Sequence, residues 1–402
     1  ALLGFRVDIN RQFGQYIPRI VSFDGKIERV DTTYDKYFNF DRFYNLRWDL
    51  SRSLNLDFTA SNMARVDEPF GAINTREKKD SLRKNFFAGG RNIDYKQKTV
   101  VSYNFPLGKL PLTDWITARY NYTTNYNWIA ASLLARNLGN FLENGQENSL
   151  NAELDFGRLY NKVRFFSQLD NASNSGSVQK GNTSQAQLSK NQKTGKQSSL
   201  STLPPREEVI KGKKGKAKRE ALRQWRAQKR NLRIQERQQR FNEPMDMGGV
   251  ARATGRLVTM LKRVSINYSE NYRSRVPGYM DSTRALGQNF ASMQPGLDYV
   301  FGRQPNRAWL DDKARRGLIT RDSTFNVLYR QNFEQRLSIT AQIEPIRELT
   351  IDLNIDKSFN KEYTQLFKDT TGTGNNFAHL SPYAGGGFSV SYISFRTLFE
   401  PT

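Results

Sequence analysis

The segment LSITAQIEPIRELTIDLNID, residues 337–356, alternates apolar and polar side chains over nearly its whole length. Its alternate apolar positions are Leu337, Ile339, Ala341, Ile343, Leu349, Ile351, Leu353 and Ile355. Successive side chains of a β-strand point to opposite faces, so this segment predicts a β-hairpin with one apolar and one polar face. Such an apolar face contacts either the core of a soluble sandwich or lipid, and the rest of the sequence bears on that choice.

The same two-residue period recurs along the chain, which predicts an all-β protein. It is found in residues 3–10, 44–50, 54–60, 95–105, 116–126, 150–156, 264–272 and 388–392, and its longest run is 325–343. Strands of soluble proteins rarely exceed about 10 residues, whereas a membrane strand needs about 9–11 residues to cross and can project further. The length of the 325–343 run therefore favours lipid as the partner of the apolar face.

The expected connections between these strands alternate in length. Long connections are expected at 11–39, 67–92, 127–148, 273–323 and 363–386, and short ones at 51–53, 106–114 and 344–348. This alternation is typical of outer-membrane barrels, which have long outer loops and short periplasmic turns. An insert that follows an expected strand at 149–166 falls on the short-turn side, so we expect it to be periplasmic.

The two parities of the strands predict two sets of surface residues. The expected lipid-facing residues are Leu54, Leu56, Phe58, Tyr120, Tyr122, Leu337, Ile339, Ile343, Leu349, Ile351 and Leu353. The expected lumen-facing residues are Arg47, Asp49, Asp57, Arg119, Asp155 and Asp352. Unpaired buried charges are costly, so the second set favours a wide, water-filled barrel over a narrow barrel filled by side chains. A large soluble β-sandwich, whose inner faces alternate in the same way, is the competing interpretation.

Composition argues against most kinds of enzyme. The 402 residues contain no Cys and one His, which excludes disulfides, thiolate metal sites and cysteine nucleophiles from this stretch. We expect His379, in a Gly/Asn-rich stretch, to be a surface residue, and Asp311 and Asp312, beside Lys313, to form a salt-bridged loop. The GKKGK segment at 212–216 lacks the spacing of a phosphate loop. We therefore expect no catalytic residue, cofactor or metal.

Positive charge is concentrated in one segment. The formal net charge is +23, and residues 206–240 contribute +10 of it, with 14 Lys/Arg and 4 Glu. Residues 217–241 predict a helix that follows a low-complexity linker. Its candidate docking residues are Lys213, Lys214, Lys218, Arg219, Arg223, Trp225 and Arg226. The helix is either solvated without a partner or docks an acidic protein or anionic lipid headgroups; nucleic acid is not expected, because no base-reading element accompanies the basic run.

Four segments, taken in their order along the chain, resemble a known family. They are NLRWDLSRSLNLDFTASNMARVDEP, NYNWIAASLLARNLGNFLENGQENSLNAELDFGRLYNKVRFF, LVTMLKRVSINYSENYRSRVPGYM and QPGLDYVFGRQ. In this order they resemble the SprA/Sov family, the outer-membrane translocon of the type IX secretion system and of gliding motility in Bacteroidota. The resemblance covers most of the chain outside roughly residues 170–245.

This resemblance implies an architecture and a function. The chain would be an internal piece of a longer protein, an arc of about ten long antiparallel strands from a very large transmembrane β-barrel with long outer loops and one helical periplasmic insert. It would serve as a passive conduit in the outer membrane. Its partners would be folded cargo proteins with a C-terminal signal domain, a PorV-like smaller barrel, a periplasmic plug protein and membrane lipids. The family supplies no catalytic residues.

The expected organisation has three segments. Residues 1–166 and 251–402 are barrel strands with outer loops, and 167–250 is the linker with the basic helix. We expect an isolated arc not to fold alone, because it leaves two unpaired strand edges. Two other functions stay open: a different outer-membrane barrel such as a TonB-dependent importer, and a soluble basic β-protein that binds polyanions.

Overall fold

The computed structural model describes residues 1–21, 23–25, 27–29, 31–163, 165–167, 204–212, 215–242, 249–346 and 349–391. The chain divides into two compact units. The first contains Ala1–Glu153, Ser265–Thr340 and Leu353–Thr402, and the second contains Leu154–Val264 and Ala341–Asp352. The three segments predicted from the sequence are defined by strand pattern and composition rather than by compactness. They stay a prediction.

Ten long strands form one sheet, which confirms the all-β prediction. Together with the short hairpin β2–β3, they are β1 (Leu2–Tyr16), β2 (Arg19–Val21), β3 (Ile27–Arg29), β4 (Thr33–Asp49), β5 (Leu54–Arg65), β6 (Arg91–Asn104), β7 (Ile116–Ile129), β8 (Asn140–Asp155), β9 (Leu261–Tyr279), β10 (Tyr329–Ile346), β11 (Leu349–Asp369) and β12 (Phe377–Ser391). The sheet order is β1-β4-β5-β6-β7-β8-β9-β10-β11-β12, so every long strand lies beside the long strands that precede and follow it in the chain. The described residues leave β1 and β12 as the edge strands.

The antiparallel register places the apolar side chains of neighbouring strands on one face, as from β4 to β6. Trp48 lies opposite Leu56, and Leu56 lies opposite Val101 on the next strand. Arg47 lies opposite Asp57. Directly opposed residues of an antiparallel pair point to the same side of the sheet. We call the side that carries Leu56 the apolar face and the side that carries Asp57 the polar face.

The long strands contain between 12 residues, in β5, and 21 residues, in β11. They exceed the length of about 10 residues that soluble strands rarely pass. Several expected boundaries were wrong. β8 covers Asn140–Asp155 rather than 149–166, which shortens the preceding loop, and β10 covers Tyr329–Ile346 rather than 325–343. β9 extends to Tyr279, β11 extends to Asp369 and β12 begins at Phe377, so the expected long connection 363–386 is reduced to residues 370–376. The start of β8, NFLENGQEN, has no alternation, because Phe141 and Leu142 are adjacent and the residues after them are polar or Gly at both parities, so the apolar period does not reveal this part of the strand.

Pro277 and Gly278 lie inside β9, rather than in a loop as their turn-forming composition suggests. Gly278 has φ 78°, and Gly139 has φ 75°. A Cβ on Gly139 would lie 2.6 Å from the carbonyl carbon of Gly278. Both glycines therefore allow the loop before β8 to pass directly over the backbone of β9.

The α-helices with complete bounds in the described residues are α1 (Arg76–Phe87), α2 (Phe156–Tyr160), α3 (Arg206–Ile210), α4 (Gly215–Asn242), α5 (Gly249–Thr259), α6 (Leu297–Val300) and α7 (Arg307–Arg315). Short 3₁₀ helices cover Leu107–Lys109 and Leu133–Leu138. Helix α4 confirms the helix predicted for 217–241. The Thr75 side chain caps α1 by accepting a hydrogen bond from the Lys78 backbone N–H. Among the described residues, no helix combines the length and apolar character needed to cross a membrane.

Residues 280–328, which connect β9 to β10 and which we call the cover segment, pack on one end of the apolar face. The buried core there contains Tyr126, Trp128 and Leu142 from the sheet together with Tyr299 and Leu310 from the cover segment. The Tyr299 ring stacks on Trp309 at 4.8 Å between ring centroids. Burial of these large side chains makes the covered end of the face the hydrophobic core of the first unit.

Side chains of the sheet hold the backbone of the cover segment. Trp128 Nε1 donates to the Asp281 carbonyl at 3.0 Å, and Tyr122 Oη donates to the Phe301 carbonyl at 2.6 Å. The buried Asn144 side chain donates to the carbonyls of Tyr299 and Arg303. These bonds satisfy backbone groups that would otherwise be buried without partners.

We predict that Asn144→Ala loosens the cover segment without unfolding the sheet. The substitution leaves two carbonyls without their donor, at a cost of about 1–3 kcal/mol each. Limited proteolysis of the full-length protein should then cleave faster after Arg284 or Arg303. Asn125→Ala, on the exposed polar face of the neighbouring strand, is the matched control. Equal cleavage rates for the two variants would contradict the anchoring role of Asn144.

Candidate functional site

Outside the region under the cover segment, the strands carry a set of apolar side chains of one parity, which we call the apolar band. Its predicted members on β5 and β7 follow from the register: Leu54 lies opposite Tyr103, and Tyr103 lies opposite Tyr120. On β10 and β11 they share the parity of Phe333 and Phe359, whose rings contact each other at 5.9 Å. The band contains Leu54, Leu56, Phe58, Tyr120, Tyr122, Leu337, Ile339, Ile343, Leu349, Ile351 and Leu353.

In the described part of the chain, none of these apolar side chains is buried. Leu349 is 48% exposed and Ile351 is 41% exposed, and the others are half-buried. The apolar side chains of β1 are more exposed than those of the band, since Leu3 is 78% exposed and Phe5 is 63% exposed. A sandwich core would bury such residues, and exposed apolar surface of this extent marks an interaction with another apolar phase. Tyr122 and Phe58 lie at the border of the band, because the Tyr122 hydroxyl reaches the cover segment and Phe58 packs against the buried core.

The polar face carries the charged residues predicted to face water. Arg47 and Asp57 lie opposite each other, with Nε 3.7 Å from Oδ1. Arg119 Nε donates to Asn121 Oδ1 at 3.1 Å. Asp49 is exposed at the end of β4. The face is thus polar along several strands, as its alternating sequence indicates.

Two residues predicted to face water lie in the second unit. Asp352 is exposed and has the polar parity of β11. Asp155 ends β8 and caps α2, since its carboxylate accepts from the Arg158 backbone N–H at 3.2 Å and pairs with the Arg158 guanidinium at 3.1 Å. The position of Asp155 is therefore that of a helix cap, a role that the alternation of the preceding strand does not reveal.

A groove of about 1190 Å³ runs over the polar face of the first unit. We call it the polar trough, and its charged lining residues are Arg6, Lys96, Lys98, Glu143, Glu147, Arg273, Arg275 and Arg330. Cations outnumber carboxylates, and Arg275 pairs with Glu143 at 3.4 Å. Within the described residues, Lys98, Arg273 and Arg330 form no ion pair. The trough therefore presents a positive potential to water.

Sequence reasoning missed the polar trough. Its six cations lie on four strands, β1, β6, β9 and β10, with no more than two on any strand, so no basic run reveals them. The only available signal was the parity of each cation within its own strand. Sheet pairing brings them together, and pairing between distant segments is not encoded in a local window of sequence.

The basic helix α4 belongs to the second unit and carries the predicted docking residues. Lys218, Arg219, Arg223 and Arg226 are exposed. Trp225 is half-buried, and its Nε1 donates to the Pro204 carbonyl at 2.9 Å. The predicted docking residues Lys213 and Lys214 lie outside the described residues. The indole of Trp225 is thus used to hold the helix, while the cations face solvent.

His379, expected at the surface in a Gly/Asn-rich stretch, is half-buried in a strand. It lies in β12, and its ring is 4.6 Å from the Phe367 ring. Its Nε2 is 3.0 Å from Asp311 Oδ1, and its Nδ1 is 3.0 Å from Gln365 Oε1. Since Asp311 lies on α7, this contact fastens the cover segment to the sheet.

The Asp311–Asp312 pair lies in helix α7 and not in a loop, although the predicted salt bridges do form. Asp312 Oδ2 is 3.0 Å from Arg316 Nε. Burial lowers the pKa of the neighbouring Lys313, whose ammonium group lies 5.0 Å from the Trp309 ring centroid. Within the described residues, no group of three His, Cys, Asp or Glu side chains has the geometry to hold a metal ion.

The chain matches no protein-family model, and no curated protein is similar enough to be counted as a relative.

Proposed function

We propose that this chain forms part of the wall of a large outer-membrane β-barrel, a passive conduit through which the type IX secretion system exports folded proteins. The observation that carries the proposal is the uncovered apolar band, which lies on strands of 12–21 residues opposite a charged face. In this arrangement lipid contacts the apolar band, and water solvates the charged side chains of the opposite face. Hydrogen bonding between neighbouring strands satisfies the backbone, which is a requirement for any structure inside a bilayer.

The dimensions of the band support a membrane location. On β11 the apolar parity runs from Leu349 to Phe359, interrupted by Lys357. Ten residue steps span about 33 Å along a strand, and a tilt of about 40° reduces this to about 25 Å along the membrane normal. An apolar height of about 25 Å is typical of outer-membrane barrels. Lys357 lies 5.8 Å from the Phe388 ring, near the end of the band where a long cation can extend to the interface.

The export function rests on the sequence resemblance together with the polar face. The resembling segments 45–69, 125–166, 257–280 and 294–304 contribute strands and part of the cover segment. The proposal assigns the polar trough to the water-filled lumen and the cover segment to the outer side. It takes as partners cargo proteins with a C-terminal signal domain, a PorV-like smaller barrel and a periplasmic plug. It assigns no catalytic residue and no cofactor.

Spin labels on adjacent residues test the two faces. In the intact full-length protein, labels at Leu56, Ile339 and Ile351 should be relaxed strongly by membrane-dissolved oxygen. Labels at their neighbours Asp57, Thr340 and Asp352 should respond instead to a water-soluble nickel complex, because successive side chains point to opposite faces. Labels on the first set that are shielded from oxygen would show that protein covers the band, and the membrane proposal would then fail.

Lysine substitutions on one strand give an energetic test. Leu353→Lys places a charge near the middle of the band, where it should destabilise the inserted full-length protein by about 2–4 kcal/mol in urea-driven unfolding from phospholipid vesicles. The adjacent Asn354→Lys points to the polar face and should change the stability little. Equal destabilisation by the two variants would exclude lipid contact at Leu353.

Site-specific cross-linking distinguishes export from uptake of small molecules. The 402 residues contain no Cys, so Lys98→Cys introduces a unique attachment point for a photo-crosslinker in the polar trough. In cells producing full-length protein freed of other cysteines, this position should capture exported proteins that carry the C-terminal signal domain. Leu56→Cys on the apolar face is the control and should capture none. Absence of cargo at both positions, with normal membrane insertion, would favour a different outer-membrane barrel.

A further inference from the structure

A second groove lies on the apolar face, at the boundary between the apolar band and the part under the cover segment. Its volume is about 850 Å³, and we call it the boundary groove. Aromatic side chains form its walls: the Phe333 ring lies 4.6 Å from the Tyr272 ring and 5.9 Å from the Phe359 ring. Aromatic residues at the end of an apolar band are typical of the level at which lipid headgroups meet acyl chains.

Two cations line the boundary groove without a carboxylate. Arg307 begins helix α7 and Lys361 lies on β11, and no acidic residue contributes to the lining. The Arg307 guanidinium donates to the Tyr363 hydroxyl at 3.2 Å, which directs it toward the groove. Both cations are exposed, and within the described residues neither forms an ion pair. The groove therefore offers two unneutralised positive charges to an anion.

Three glycines extend the groove along the edge strand. Gly386 lies opposite Lys361 on β12, and Ala384 lies opposite Tyr363. A smaller groove of about 360 Å³ adjoins the first and shares Phe359, Lys361 and Ala384 with it. Its other lining residues are Gly385–Gly387 and Phe388.

Only glycine fits at position 386. A Cβ on Gly386 would lie 2.5 Å from the Asn360 carbonyl oxygen. The floor beside Lys361 is therefore bare backbone, bordered by Phe388, which is 66% exposed. This shape leaves room for an apolar chain next to a cation.

We propose that the boundary groove binds a membrane lipid whose headgroup carries a phosphate monoester. Arg307 and Lys361 hold the phosphate, and an acyl chain lies along Phe359 and Phe388 over the glycine floor. The combination favours a lipid over a soluble anion, because the two cations stand directly beside uncovered aromatic surface. This inference rests on the proposed membrane location of the apolar face.

Native mass spectrometry of the detergent-solubilised full-length protein tests the site, with lipid A as the probe. The wild-type protein should retain lipid A, and Arg307→Gln combined with Lys361→Gln should weaken retention about tenfold or more, because charge-assisted hydrogen bonds to the phosphate are lost. Ala384→Phe fills the groove without changing charge, and it should weaken retention as well. The control pair Lys98→Gln with Arg330→Gln removes the same charge from the polar face and should leave retention unchanged.

Two further binding comparisons identify the ligand. Dephosphorylated lipid A should bind more weakly than lipid A, and inorganic phosphate at equal concentration should not displace it. Equal retention by the double variant and the control pair, equal binding of the dephosphorylated lipid, or displacement by free phosphate would each overturn the lipid site. A spin label at Leu353 that remains accessible to oxygen in the same preparations would show that the membrane location stands even though the lipid site fails.

Discussion

Hydrogen bonding between consecutive strands is the constraint on which the rest of this structure depends. Each long strand pairs with its neighbours in the chain, so the register is set locally, as where Arg47 meets Asp57 and Trp48 meets Leu56. Because the side-chain period of a strand is two, a slip of one residue would move every apolar side chain of that strand to the polar face. The correct register produces a sheet that is apolar on one side and charged on the other, and both the proposed membrane contact and the polar trough follow from this difference.

The apolar face is divided between two environments. One end is covered by residues 280–328, and there the sheet carries polar side chains such as Asn62 and Asn144 that bond backbone carbonyls of the segment. A folded loop cannot lie on a purely apolar surface without leaving its own backbone groups unpaired. The uncovered end needs no such donors, and Leu54, Leu56, Ile339 and Ile351 occupy it. The boundary groove lies where these two environments meet, which is why it combines aromatic walls with Arg307 and Lys361.

The positive charge of the chain is concentrated in two features, the basic helix α4 and the polar trough. The basic helix α4 concentrates its charge in a continuous run that any composition window detects. The polar trough gathers one or two cations from each of four strands that are far apart in sequence, among them Lys98, Arg273 and Arg330. The two features differ in exposure to partners: the helix presents cations on a convex surface, whereas the trough holds them in a concavity, where field lines converge and attract an acidic surface more strongly.

The sequence by itself determined the all-β architecture, the two-faced strands and the helix at Gly215–Asn242, because strand alternation and helix propensity are properties of neighbouring residues. It also assigned Leu56, Ile351, Arg47 and Asp57 to opposite faces. Only the tertiary structure decided that β8 begins at Asn140, that residues 280–328 cover one end of the apolar face, and that His379 bonds Asp311. These features depend on pairing and packing between segments separated by tens of residues or more, and no local pattern encodes which of those segments meet.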